Sequence, residues 1–179
     1  THYLRVSGVS GASGDYAVAA SLGGLAELDA TMAAAALLSG DVWQNTALTF
    51  GFADATDHGL DNFAQFNEAQ RETARAVLQQ FSEVTGLSFT EVNPGGTTDE
   101  ATLIYGNYSA VDGLAAQSWG PGVTTFGDPS GDVFVNTTAV PEYAALPGSP
   151  AYLLLLQHIA HSLGLTAPGT YPTGPLTFA

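Results

Sequence analysis

The chain has 179 residues, enough for one domain with a hydrophobic core and too short for two comfortable ones. Apolar types make up 45% and charged types 11%, which is a globular and not a disordered composition, and the absence of Cys excludes both a disulfide framework and a thiolate metal site. Seventeen acidic residues against three basic ones give a formal charge of −14, which argues against nucleic acid or an anionic membrane as partner and suits salty surroundings or contact with Ca²⁺.

With Thr at position 1 and no evident signal peptide, a processed or trimmed chain is expected. The segment Ser7 to Gly24 is rich in Gly, Ser and Ala, so residues 1–27 read as a flexible N-terminal arm. A helix is predicted over Asp29 to Leu38 with Gly40 as its stop, followed by a half-buried strand over Ala47 to Phe52, where Leu48, Phe50 and Phe52 alternate with small or polar residues. The strongest helix signal runs from Glu68 to Val84: Asn67 and Gln70 form a capping box, and Ala74, Val77, Leu78, Phe81 and Val84 share one face. Gly86 ends that helix, and Leu87 to Val92 resumes strand alternation before a turn at Asn93 to Gly96. Ala101 to Gly106 and Asp132 to Asn136 are further short strands. Between them Asp112 to Pro129 reads as a Gly-rich loop, with Trp119 covering core.

Ser149-Pro150 opens the last helix, which continues through Tyr152, Leu153 and Leu156 to Leu163 and Gly164. Its apolar run, Ala151 to Leu156, is far short of a membrane span, and a helix apolar on nearly all sides is expected to be buried. Residues 169–179 read as an irregular tail. The order of elements predicts a single α+β domain over residues 1–179.

Polar residues on that last helix are where chemistry is sought. His158 and His161 share a face and could share a metal, but zinc asks for three or four protein ligands. His2 and His58 lie in polar stretches with nothing in the sequence to bring them close. The plainer reading is two polar residues on an otherwise apolar helix, hydrogen-bonded or exposed at a cleft, with no Ser or Thr that the sequence pairs with them. Asp54, Asp57, Asp61, Asp128 and Asp132, spaced in Gly-rich loops, are candidate weak Ca²⁺ ligands, calcium being the one cofactor the acids suggest. Two sequons occur, at Asn107 and Asn136.

The stretch Gln157-His-Ile-Ala-His-Ser-Leu-Gly-Leu-Thr-Ala-Pro-Gly-Thr-Tyr171 resembles the zinc-binding segment of the serralysin-type metzincin proteases, H-E-x-x-H-x-x-G-x-x-H continuing Pro-Gly-x-Tyr. Leu28 to Trp43, Ala47 to Phe52, Phe66 to Val92 and Leu103 to Tyr108 are similar to the same family in the same order. The resemblance implies a metzincin fold, with a small mixed sheet and two long helices, and an exported, bacterial-type protein. Aligned on His161, Gly164 and Tyr171, it puts Gln157 at the first zinc-ligand position, His158 at the catalytic Glu, His161 at the one retained ligand and Ala167 at the third. The family's later Met-turn is missing, since the only Met is Met32, so the C-terminal subdomain reads as truncated or absent.

The resemblance therefore implies a pseudo-protease: a serralysin-like homologue without catalytic residues or zinc, serving as a binding or structural module of a secreted protein. Its partner is expected to be a protein or peptide, including a further chain or downstream region that completes the fold, with no membrane insertion. The family's peptide cleft maps to Asp112–Trp119 and Gly131–Asn136, with Trp119, Val133, Phe134, Val135 and Tyr171 as its candidate lining. One alternative is a metal-dependent hydrolase whose rebuilt zinc site uses His158, His161 and a carboxylate. Another is a structural subunit that assembles with a second chain. Without zinc, Leu153 to Leu156, Leu163 and Leu165 are expected to anchor the last helix by packing.

Overall fold

A computed structural model describes residues 40–55, 58–124, 128–140 and 147–166. The N-terminal arm, the helix expected over 29–38, Asp57, Ala167, Tyr171 and the tail lie outside the described residues. The described chain forms β1 (Ala47–Phe52), α1 (Glu68–Thr85), β2 (Ser88–Glu91), β3 (Leu103–Tyr108), β4 (Ala116–Ser118), β5 (Val133–Asn136) and α2 (Pro150–Ser162). A five-stranded mixed sheet in the order β2-β1-β3-β5-β4 is parallel throughout except for β4, which runs antiparallel to β5 at one edge. With two helices on it, this is an α+β arrangement.

α1 starts where the capping box puts it. The Asn67 side chain accepts from the Gln70 amide at 2.9 Å and the Gln70 side chain accepts from the Asn67 amide at 2.8 Å. Gly86 closes the helix in the left-handed region, at φ 74°. Both helices cover one face of the sheet, where Leu48, Phe50, Phe52, Val77, Leu78, Tyr105, Leu155 and Ile159 form the main core. Ile104, Tyr108 and Phe134 pack on the opposite face with Phe63 and Trp119, under loops instead of helices. Every residue of β3 and β5 is buried, as expected of inner strands covered on both faces.

Two expectations change here. The third strand lies two residues later than alternation suggested, at Leu103–Tyr108, because Asn107 and Tyr108 continue the ladder against Val135 and Asn136. The segment Asp112 to Pro129 is not all loop: it contains β4, whose three residues are too few to show a period.

Candidate functional site

α2 is fixed at both ends. The Ser149 hydroxyl accepts from the Tyr152 amide at 3.2 Å, and Pro150 occupies the first turn, where a missing N–H costs nothing. At the other end the Trp43 indole Nε1 donates to the Ser162 carbonyl at 3.0 Å. The chain then leaves through Gly164 at φ 93°, where a Cβ would stand 2.5 Å from the Asp41 carbonyl oxygen, so that only glycine fits. Tyr152, Leu155, Ile159 and Ser162 face the core. Gln157, His158 and His161 lie along the other flank, Gln157 exposed and the two histidines half-buried.

The antiparallel edge strand brings the missing partner to these histidines. Side chains alternate along β4, so Ala116 and Ser118 face α2, while Trp119 turns to the opposite face beside Phe134. The Ser118 hydroxyl stands 2.8 Å from His158 Nδ1 and 3.0 Å from His161 Nδ1. Burial, and then the neighbouring His161 imidazole, hold His158 below the ordinary imidazole value of 6.5. An open cleft of about 320 Å³ lies over the three side chains, lined also by Gln157, Ala160, Leu165 and Thr166.

The backbone of Ser118 faces outward. The Trp119 amide donates to the Asp132 carbonyl at 3.1 Å, and the Asn136 amide donates to the Ala115 carbonyl at 2.9 Å. Gln117 opposite Phe134 is therefore a hydrogen-bonded pair, and the N–H and C=O groups of Ala116 and Ser118 point to the open side of the sheet. Among the described residues no strand pairs with that edge.

Among the described residues the donors near His158 and His161 do not make up a three-ligand zinc site. Among the described residues no three His, Cys, Asp or Glu side chains converge, and the carboxylate expected beside His158 and His161 in a rebuilt site is not there. Both imidazoles turn Nδ1 to a hydroxyl.

A second polar cluster, which the sequence did not suggest, lies on the opposite face. His58 Nε2 meets Asp132 Oδ2 at 2.7 Å, Asp132 Oδ1 accepts from the Ile104 amide at 3.0 Å, and the His58 ring packs between Trp119 and Phe134. A cavity of about 300 Å³ beside it is lined by Asp99, Asp128 and Ser130. Partial burial and the Asp54 carboxyl next to it push Asp99 above the usual carboxylate range. The proposed calcium ligands Asp54, Asp61, Asp128 and Asp132 are not brought together as a group, and Asp132 is engaged by His58 and Ile104.

Of the cleft candidates, Val133, Phe134 and Val135 lie in β5, buried and paired with β3 on one side and β4 on the other. Trp119 faces away from α2. Only the β4 part of the expected cleft has an open edge. Both sequon asparagines are internal fasteners: Asn107 pairs with Gln70, and Asn136 Nδ2 is shared among Ala110, Leu114 and Asp112.

The fold and this helix-against-edge-strand site define an α+β domain with a mixed five-stranded sheet. No protein-family model matches the chain. It is similar to the metallopeptidase AprA of Pseudomonas marginalis, 33% identical over 65% of this chain and 24% of that protein. It is also similar to the metalloprotease AprA of Pseudomonas entomophila, 31% identical over 72% of this chain and 26% of that protein. A serralysin of Proteus mirabilis is 33% identical over 65% of this chain and 26% of its own length. These similarities support a serralysin-related metalloprotease family, and the chain spans about a quarter of the length of the curated relatives it matches.

Proposed function

We propose that this chain is a metzincin-fold, serralysin-like domain that is silent as a zinc peptidase and holds an extended peptide along β4 as part of a secreted protein. The observation that carries it is the state of α2. Gln157 stands where the family has a zinc ligand, His158 where it has the catalytic Glu, and both histidines are turned onto Ser118. Without a third imidazole to hold zinc and a carboxylate to deprotonate its water, peptide hydrolysis has no engine. The outward N–H and C=O groups of Ala116 and Ser118 remain available for strand addition, and Val111 and Leu114, in the chain that leads into β4, are 98% and 48% exposed.

Zinc content per chain, measured after dialysis against trace zinc, is expected to be near zero, and a chelator is expected to leave the melting temperature unchanged. Zinc near one per chain, or a drop of several degrees with chelator, overturns the reading. A peptide array on the same preparation is expected to give binders that Gln117→Pro weakens, because proline there removes an N–H that pairs β4 with β5 and disturbs the edge strand.

A further inference from the structure

The hydroxyl that meets both imidazoles is itself a nucleophile. Ser118 Oγ carries one proton and two lone pairs, so both Nδ1 contacts, at 2.8 Å to His158 and 3.0 Å to His161, are hydrogen bonds when at least one imidazole donates from Nδ1. In the tautomer that activates the hydroxyl, His161 Nδ1–H donates to Ser118 Oγ and Ser118 Oγ–H donates to His158 Nδ1. Ser118 is half-buried at the floor of an open cleft, so a small electrophile can reach Oγ.

We propose that Ser118, His158 and His161 form a metal-free acyl-transfer site for short-chain carboxylic esters, with Ser118 as nucleophile, His158 as general base and His161 as the donor to the developing oxyanion. Ser118 Oγ bonds to the acyl carbon as its proton passes to His158 Nδ1. The ester oxygen of the leaving group departs and takes that proton, which leaves an acyl-serine and a free alcohol. Water then attacks the acyl carbon, gives its proton to His158 Nδ1, and Ser118 Oγ leaves and recovers it. The sum is ester plus water to acid plus alcohol. His161 Nδ1–H, 3.0 Å from Oγ, lies within reach of an oxygen bonded to the same carbon as Oγ and can transfer its hydrogen bond to it. The lining of Ala160, Leu165 and Thr166 suits a short acyl chain.

The proposal goes beyond peptide holding and does not need it. Its test uses the whole chain, treated with chelator, and an alkyl fluorophosphonate, followed by intact-mass measurement and peptide mapping. The expected result is one adduct, on Ser118, formed with loss of fluoride and abolished by heat unfolding. Ser118→Ala and His158→Phe are each expected to reduce labelling at least tenfold, and His161→Phe to slow it while leaving the site of attachment unchanged. Hydrolysis of p-nitrophenyl acetate is expected to follow the same order and to be insensitive to chelator. No adduct on the folded chain, or ester hydrolysis undiminished in Ser118→Ala, overturns the proposal. Zinc bound near one per chain in the untreated sample defeats the zinc-free reading instead, so the two failures are distinguishable. A thermal melt of each variant identifies any that has lost its fold, and for that variant Ser118→Cys, alkylated by iodoacetamide faster than a free thiol at the same pH, supplies the reading of base activation.

Discussion

At the scale of single residues, the polar interior is built from side chains that fasten loops. Asn136, 1% exposed at the end of β5, accepts from the amides of Ala110 and Thr138 and donates to the carbonyls of Ala110 and Leu114 and to Asp112. Those are the residues that lead into the edge strand, so this one amide sets where β4 begins. Asn136→Ala removes the partner of several part-buried backbone groups and is expected to cost about 1–3 kcal/mol, read by urea denaturation. Amide hydrogen exchange is expected to rise selectively over residues 110–116. Sequence reading flagged Asn136 only as a sequon, because nothing local to Asn-Thr-Thr shows what the side chain faces. The same limit hid Ser118, which meets His158 across 40 residues of chain, and His58, which meets Asp132 across 74. The two histidines of α2 were legible because they interrupt an apolar helix. Their partner was not, because a lone Ser between Gln117 and Trp119 looks like any polar loop residue.

At the scale of elements, α1 was legible nearly to the residue, since a capping box, a helical period and a terminal glycine are all local signals. α2 was legible in extent and misread in facing. Four consecutive leucines carry no period, so the sequence could not say which are buried. Leu155 is fully buried with Ile159, Leu153 is 53% exposed, and Leu154 and Leu156 are only partly covered. Within that run Leu155 is the residue that anchors the helix. Leu155→Ala is expected to cost about 2–5 kcal/mol by transfer and cavity terms. Leu153→Ala is expected to stay within about 0.5 kcal/mol. Equal effects from the two substitutions would contradict the orientation of α2, and with it the placing of His158 and His161 over Ser118. The helix pair is further joined by Gln80 Nε2 donating to the Tyr152 hydroxyl at 2.7 Å, a link that a zinc ion is not needed to make.

At the scale of the whole molecule, the charge excess sets the sign of most responses to salt and pH. A net charge of −14 repels itself, so salt at neutral pH is expected to raise the melting temperature by screening. Against that background two carboxylates act in opposite senses. Glu91 on β2 receives a two-pronged bond from Arg75 of α1, Nε to Oε2 at 2.8 Å and Nη2 to Oε1 at 2.9 Å, and this holds Glu91 below its ordinary 4.5. A carboxylate with a depressed folded value contributes stability that is present above 4.5 and fades as pH falls through the folded value. Asp99, raised by burial and Asp54, does the reverse: it favours the fold below its ordinary 3.8 and loses that contribution as pH rises through its folded value. Glu91→Gln is therefore expected to lower the melting temperature at pH 7, with the gap to the parent closing as the buffer is taken well below pH 4.5. Asp99→Asn is expected to raise it at pH 7 and to match the parent below pH 3.8. The two difference curves, from melts of parent and variants across the same buffers, should bend in opposite directions. Curves of the same sign would mean that the overall charge, and not these two contacts, governs the acid limb.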